Sequence, residues 1–331
     1  MSTRQLYIEG LEHHLELIES QTDLQRLGGL LATDMHQRTG VEDVEGAKEG
    51  LRVAFNAAKW IGGTSYTLFS KLLSSAGDKL LRSFGANETL IKKLLSKFST
   101  VEEHELSISK TALATITCEG DLADLSRDMD VMLRALESFE RHSKDVLAYL
   151  DKQLLTAKKL KGVSTTDALF AVVEEYDKLE HPEFKLPHHS GNKWSSDVLP
   201  GGKVWEYEHP EKGAPKYSMN GDTPAGAGTS ATMSKSEVSS LLTKLDKVNA
   251  VHKRVKQSYD NYLSFLKSWA DMVKAVDGNL SKLENVSKTA HGEAEKILAG
   301  NSEVLAFYSG FTPRVVSYTD KYIHGVLGVF A

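Results

Sequence analysis

The sequence predicts a mainly α-helical fold, an elongated antiparallel helical bundle interrupted by one inserted β-hairpin and loop region. The first observation is periodicity, because apolar residues recur every three or four positions through most of 4–180 and 235–308, as in amphipathic helices. The second is the position of the helix breakers, since six of the seven prolines fall within 181–225. One stretch of chain therefore differs in kind from the rest.

These observations divide the chain into three parts. We expect an amino-terminal helical region over 1–180, a Pro- and Gly-rich insert over 181–233, and a carboxyl-terminal helical region over 234–331 that packs on the first. The charges change sign from segment to segment, because 9–49 is rich in acids whereas 59–98 is rich in lysine. Neighbouring antiparallel helices would show this alternation if oppositely charged side chains along their solvent-exposed edges formed ion pairs.

In the amino-terminal region, glycines and capping residues mark where successive helices begin and end. Thr100 and Glu103 have the spacing of a capping box, which predicts a helix that starts there. A long periodic segment follows over 121–160, and Ser164 or Thr165 can cap a helix that continues to about residue 179. Earlier helices are expected over 3–36, 44–60, 64–84 and 90–98.

The insert contains one hairpin signal. Residues 194–199 and 203–208 form two short arms, with alternating side chains on the second, and Pro200-Gly201-Gly202 supplies the turn. A single hairpin is marginally stable alone, so it must lean on the helices or on a partner. The tail over 217–234 is rich in Gly, Ser, Thr and Ala, and it is expected to be a flexible return.

Helical periodicity resumes at Ser234 or Ser236 and continues to about Val276. A further helix is expected to end near residue 300, and the last element covers 302–331. Its apolar end, 322–331, is too short to span a membrane, and we expect it to pack on the helical body.

Composition limits the classes of protein that the chain can be. It has 331 residues, is 40% hydrophobic and carries a net charge of −5, which is ordinary for a globular protein. Cys118 is the only cysteine, so an intrachain disulfide and a cysteine-based zinc site are both excluded. No stretch reaches the roughly 20 apolar residues of a membrane-spanning helix, and no secretory signal is recognisable.

Residues with catalytic or ligand-binding chemistry do not fall at the spacing that a reaction requires. The sequence has no Gly-x-Ser-x-Gly elbow, and Pro200–Lys203 lacks the spacing of a phosphate-binding loop. Histidines and carboxylates of the insert could hold zinc by type, but they match no known ligand spacing. We therefore predict no catalytic residue, no cofactor site and no metal site. The side chains considered for zinc are His181, His188, His189, His209, Glu183, Glu206 and Glu208.

Two basic runs are candidates for contact with DNA phosphates. One lies at the end of the long periodic segment, and in the other basic residues alternate with aromatic ones. Sequence-independent contact with DNA needs little more than a positive face. The alternative is that these lysines solvate the surface while the aromatic rings fill the core. The candidate residues are Lys158, Lys159, Lys161, Lys253, Arg254 and Lys256.

Two short segments carry a resemblance to a known family. Tyr7–Glu12 and Ser196–Lys203, set in a helical body without a catalytic motif, resemble the internal head proteins of giant phiKZ-like bacteriophages. The resemblance extends over most of the chain. It implies a non-enzymatic structural protein that is packaged inside the capsid with the genome and is sometimes released with it.

The same resemblance implies partners and locations. The partners would be other virion proteins, genomic DNA through basic faces, and a prohead protease that cleaves after small-x-Glu sequences; a membrane is not an expected partner. The protein would be in the host cytoplasm during assembly and in the capsid interior afterwards. Glu42 and Glu49 end matching triplets near the amino terminus, and Glu137 and Glu140 end two more.

Two other classes of function stay open on the sequence alone. A helical pore-forming or membrane-interacting protein would also combine long helices with a tongue-like insert, although Lys185, Lys193 and Lys203 make this insert polar. A hydrolase that uses the histidines of the insert would need a bound metal ion.

Overall fold

The computed structural model describes residues 87–99, 103–209, 215–226, 229–280, 287–298 and 306–330. The helices expected over 3–36, 44–60 and 64–84 lie outside these residues. Within them the protein is mainly helical, as the sequence predicts, and contains small antiparallel sheets. The helices are α1 (87–98), α2 (Lys110–Ile116), α3 (Leu125–Lys158), α4 (Thr166–Asp177), α5 (Lys235–Leu280), α6 (Lys288–Leu298) and α7 (Thr312–Phe330).

Within the part of the chain that the structure describes, six strands form two sheets. They are β1 (Glu103–Ile108), β2 (His188–Ser190), β3 (Lys193–Ser195), β4 (Val204–Glu208), β5 (Lys216–Asn220) and β6 (Thr229–Ser234). β1 pairs with β6, and the other four follow one another in the order β2-β3-β4-β5, all antiparallel. Short 3-10 helices cover Leu122–Asp124, Lys159–Gly162 and Pro200–Gly202, and a π-helical turn covers Ala306–Phe311.

Local capping signals place several helices where the sequence predicts them. α3 occupies the long periodic segment, and Thr165 caps α4 by accepting a hydrogen bond from the backbone N–H of Ala168 at 3.3 Å. At the start of α5, Ser234 and Glu237 form a capping box, because the Glu237 carboxylate accepts from the Ser234 N–H at 2.8 Å. α5 is longer than expected, since it continues to Leu280.

Two predictions about the short elements are wrong. The segment from Glu103 is the strand β1 and not a helix, and the tail expected to be a flexible return contains β5 and β6. The physical reason is pairing between distant segments. β6 lies beside β1 in register Glu103↔Ser234 to Ile108↔Thr229, so each strand supplies the hydrogen bonds that neither could make alone.

Among the described helices, the expected antiparallel packing is wrong for the two longest, α3 and α5. Lys244 contacts Asp130 at 2.6 Å and Arg254 contacts Glu140 at 2.9 Å, so residue numbers rise together along α5 and α3 and the helices run parallel. The cause is the connection, because α3 is about 50 Å long and the chain must return along that length before α5 begins. Residues 179–187 begin this return, since His181 lies beside Tyr149 and Phe184 beside Phe139, and the two sheets continue it.

α7 is the most enclosed helix of the described fold. Twelve of the eighteen residues whose burial can be described on it are buried, and they include most of the apolar carboxyl end that the sequence predicts to pack on the body. Gly325 lies against α2, since a Cβ there would be 2.7 Å from Ile116 Cγ2. The buried apolar residues of α7 are Val315, Val316, Tyr322, Ile323, Val326, Leu327 and Phe330.

The sheet of the insert is attached to the helices through aromatic rings. Phe139 of α3 is the centre of this cluster, with ring centroids at 5.2 Å from Phe307, 5.8 Å from Trp205 and 6.0 Å from Phe184. Such edge-to-face and tilted contacts add about 0.5–1.5 kcal/mol per pair to the burial of area. The sheet therefore belongs to the same hydrophobic core as the helices.

Gly226 is a position where this close packing can be tested. A Cβ at Gly226 would overlap the carbonyl oxygen of Lys110 and crowd Ala114 of α2. We expect Gly226→Ala to lower the free energy of unfolding by about 1–3 kcal/mol, as overpacking does, measured by chemical denaturation. The matched control is Gly162→Ala, because no atom lies within 4 Å of a Cβ at Gly162. Equal stability of the two variants would contradict the close contact.

Candidate functional site

The first predicted basic run lies at the carboxyl end of α3. Lys158 ends the helix, and Lys159 and Lys161 belong to the 3-10 turn that follows. All three side chains are exposed. Lys159 contacts the carboxylate of Glu175 on α4 at 2.6 Å, whereas Lys158 makes no ion pair within the described part of the chain. These three cations therefore share one exposed end of the helical body.

The second predicted run is engaged by acids of neighbouring helices. Lys253 of α5 pairs with Glu88 of α1, which also pairs with Lys92 at 2.7 Å. Hydrogen bonds from Lys253 and Lys92 lower the pKa of Glu88 to about 2. Lys253 thus bridges two helices, and its charge is already compensated.

Arg254 is engaged in the same way with α3. Its Nε donates to the nearly buried carboxylate of Glu140 at 2.9 Å, and Lys144 contacts the same carboxylate at 2.7 Å. Burial raises the pKa of Glu140, but the hydrogen bonds from Arg254 and Lys144 outweigh it and leave the pKa lowered. The carboxylate is therefore charged at neutral pH and holds the two long helices in register.

Lys256 does not reach the surface. Its side chain is only 2% exposed, on the face of α5 that packs into the core. The structure thus separates the predicted basic residues into an exposed group, Lys158, Lys159 and Lys161, and a group that contacts neighbouring helices or the core, Lys253, Arg254 and Lys256.

The predicted processing sites fall into two groups, two outside the described residues and two within α3. Glu42 and Glu49 lie outside the described residues. The triplets that end at Glu137 and Glu140 lie in the middle of α3, and Leu136 and Phe139 within them are buried. A protease cannot bind these two triplets as extended chain while α3 is intact.

The histidines of the insert lie in two places, because His188 and His189 are on the exposed surface whereas the ring centroids of His181 and His209 are 6.3 Å apart. His188 contacts Asp197 at 2.8 Å on the exposed surface, and His189 stacks on Trp194 with ring centroids 3.8 Å apart. His181 is buried elsewhere, against α3. Across the described residues, no three His, Cys, Asp or Glu side chains form a group that could hold a metal ion.

Cys118 is buried between α2 and the insert. Its Sγ lies 3.1 Å from the carbonyl oxygen of Val198. Burial, aided by the charge of Asp128, raises the pKa of Cys118 to about 12. A thiol that stays protonated is a poor nucleophile, so this cysteine packs as an apolar residue.

A buried polar cluster in the core was not predicted from the sequence. Asp320 of α7 is fully buried, accepts a hydrogen bond from Asn87 of α1 at 3.4 Å, and lies 3.8 Å from His324 Nε2. His252 of α5 completes the cluster through its electrostatic interaction with Asp320 and His324. The cluster therefore joins three helices at one carboxylate.

The sequence contains a signal for this cluster. His252 occupies the same helical stripe as Val248, Val251 and Val255, and Asp320 and His324 are four positions apart in an otherwise apolar segment. Polar side chains on an apolar stripe are buried, and buried polar groups need partners. Which polar residues contact one another could not be predicted from the sequence, because the three helices that carry them are far apart in the chain.

Among the described helices, none is both long and apolar enough to cross a membrane.

The buried cluster makes the stability of the fold depend on pH. Burial, opposed by Asp320 and assisted by His324, lowers the pKa of His252 from 6.5 to about 4. The stability contributed by neutral His252 is therefore complete above pH 6.5 and is lost as the pH falls towards 4. The full loss is roughly 3 kcal/mol.

We expect His252→Gln to flatten this part of the pH profile of the unfolding free energy, measured by chemical denaturation between pH 7.5 and 4. His188→Gln is the matched control, because it removes an exposed imidazole that lies outside the cluster. A wild-type slope in His252→Gln would show that other groups carry the acid sensitivity.

Comparison with known proteins identifies the family. A family described as phiKZ-like phage internal head proteins matches residues 28–327. The matched region contains Ser196–Lys203 but not Tyr7–Glu12. No curated protein and no solved structure matches the chain significantly. Because the family match extends over most of the 331 residues, the chain belongs to the phiKZ-like phage internal head proteins.

Proposed function

We propose that this protein is a non-enzymatic structural component that is packaged inside the phage capsid with the genome. The observation that carries the proposal is the family match over 28–327. The described residues support it, because their core is filled by aromatic and aliphatic side chains and their lone thiol is buried and protonated. Its partners are then other virion proteins and, through a basic face, the packaged DNA.

The exposed end of α3 is the best-placed surface for DNA contact. Lys158, Lys159 and Lys161 lie within about one helical turn and all three side chains are exposed, with Lys159 in contact with Glu175. The second run has a buried member, Lys256, and its other two cations pair with Glu88 and Glu140. We therefore assign the contact to the first run and a structural role to the second.

Neutralising the first run tests this assignment. We expect Lys158→Gln/Lys159→Gln/Lys161→Gln to weaken binding to duplex DNA about tenfold or more. The slope of log K against log salt should become shallower by up to about 3, since each lost phosphate contact removes about 0.9. Fluorescence anisotropy over a series of salt concentrations measures both quantities.

The control variant removes the same number of charges elsewhere. Lys178, Lys185 and Lys193 are also exposed, and changing them to Gln should alter affinity much less. Equal weakening by the two triple variants would mean that only net charge matters. An unchanged salt slope in the first variant would remove the end of α3 from DNA contact.

Packaging and processing are tested on purified particles. We expect the protein to resist an added protease while heads are intact and to be digested after osmotic shock opens them. Mass spectrometry of the packaged chain should then show whether its amino terminus follows Glu42 or Glu49. We expect no cleavage after Glu137 or Glu140, because α3 protects both.

Digestion in intact particles would place the protein on the outside and contradict packaging. An amino terminus upstream of Glu42 would retain packaging and remove cleavage at both sites. Release with the genome is tested by following the labelled protein into infected cells, where a signal left entirely with the empty heads would contradict it.

A further inference from the structure

A segment without helix or strand lies across α3. Residues 179–187, here called the strap, connect α4 to β2. Three of its side chains, His181, Phe184 and Leu186, are buried, whereas Glu183 and Lys185 point outwards. Because no backbone ladder of its own secures the strap, its position depends on these buried side chains.

His142 of α3 is the main contact beneath the strap. Its ring stacks on Phe184 with centroids 4.7 Å apart and planes 16° from parallel. Its Nε2 lies 3.0 Å from the hydroxyl of Tyr217 on β5. The side chain is 2% exposed, so an imidazole is enclosed between a helix, the strap and the sheet.

His181 extends this contact from the strap itself. Its ring centroid lies 5.4 Å from Tyr149 of α3, 6.3 Å from His142 and 6.3 Å from His209, which follows β4. Neither ring nitrogen of His181 has a hydrogen-bond partner of good geometry. Three imidazoles thus form a row from α3 through the strap to the sheet.

The groups that face these two rings offer no counter-charge. The His142 ring is faced by aromatic rings of the strap, the sheet and the π-helical turn, namely His181, Phe184, Tyr207, Tyr217 and Phe307. The His181 ring is faced by His142 and Tyr149 of α3 and by His209, which follows β4. Within the described residues, no carboxylate interacts with either ring. A proton on either imidazole would be an uncompensated buried charge.

Both rings are therefore neutral in the closed structure. Burial, with the neighbouring His181, lowers the pKa of His142 well below its usual value, and the backbone of Glu183 offsets this only in part. Burial, with the neighbouring His209, lowers the pKa of His181 to about 4. When the strap leaves α3, water solvates the two rings, and each can then bind a proton near the ordinary pKa of histidine.

We propose that His142 and His181 form an acid-sensitive latch that holds the strap on α3 at neutral pH and releases it on acidification. Release is a proton-binding equilibrium, with one proton taken up at each exposed ring. The ion pairs between α3 and α5 and the cluster at Asp320 do not involve the strap. The opening is therefore local, and the helical body stays folded while the strap leaves.

The latch is measured by hydrogen exchange of the full chain between pH 7.5 and 4.5, corrected for the intrinsic effect of pH. We expect the opening equilibrium of peptides covering 179–187 to increase about thirtyfold between pH 7.5 and 5 from His181 by itself, as linkage between pKa values of 6.5 and about 4 requires. Peptides from α5 should lose protection only as far as His252 causes, so in a His252→Gln background they should keep it at pH 5.

Variants separate the latch from general acid instability. His142→Phe and His181→Phe keep a ring and remove the titration, so each should flatten the pH dependence of strap exchange. His181→Lys places a fixed charge in the same site and should open the strap at pH 7.5. The control is His189→Phe, because His189 is on the exposed β2–β3 hairpin and should keep the wild-type profile.

Three results would overturn the latch. They are a flat wild-type profile for 179–187, a wild-type profile in both phenylalanine variants, and, in the His252→Gln background, simultaneous loss of protection in the strap and in α5. If one phenylalanine variant does not fold, the other variant and His181→Lys still decide the outcome. None of these results bears on packaging or DNA contact, which are tested separately.

Discussion

The pairing of β1 with β6 is the constraint on which the rest of the fold depends. It brings two segments more than 120 positions apart into one ladder and fixes where α5 begins relative to α3. From that start the two long helices run side by side in the same direction, joined by Asp130–Lys244 and Glu140–Arg254. The insert then has a structural role, because its sheet returns the chain and fills the side of α3 that α5 leaves uncovered.

Polar groups in the core give this arrangement its specificity. An aromatic cluster around Phe139 would tolerate small shifts of one helix along another, because apolar contacts have no direction. Asp320 accepts from Asn87 and lies beside His324, so displacement of α1 or α7 would leave a buried carboxylate without its partners. Burying charge without a partner costs several kcal/mol, which disfavours other registers.

The sequence predicts what is decided locally and misses what distant segments decide. α3 and α4 could be placed from periodicity and from the Thr165 cap, whose hydrogen bond spans three residues. β1 could not, because its strand form depends on β6. Among the predicted DNA contacts, the burial of Lys256 follows from helical geometry, since it lies one turn after His252 on the same stripe. The ion pairs of Lys253 and Arg254 required knowledge of which helices are neighbours.

The central position of α7 has a consequence for biosynthesis. This helix follows every other described element in the chain, yet it lies among α1, α2 and α5 and supplies much of their buried surface. A nascent chain can form α3 and the insert, but the faces that await α7 stay exposed until residues 312–330 have left the ribosome. During that interval the growing protein presents apolar surface to solvent, and rapid completion of the chain limits aggregation.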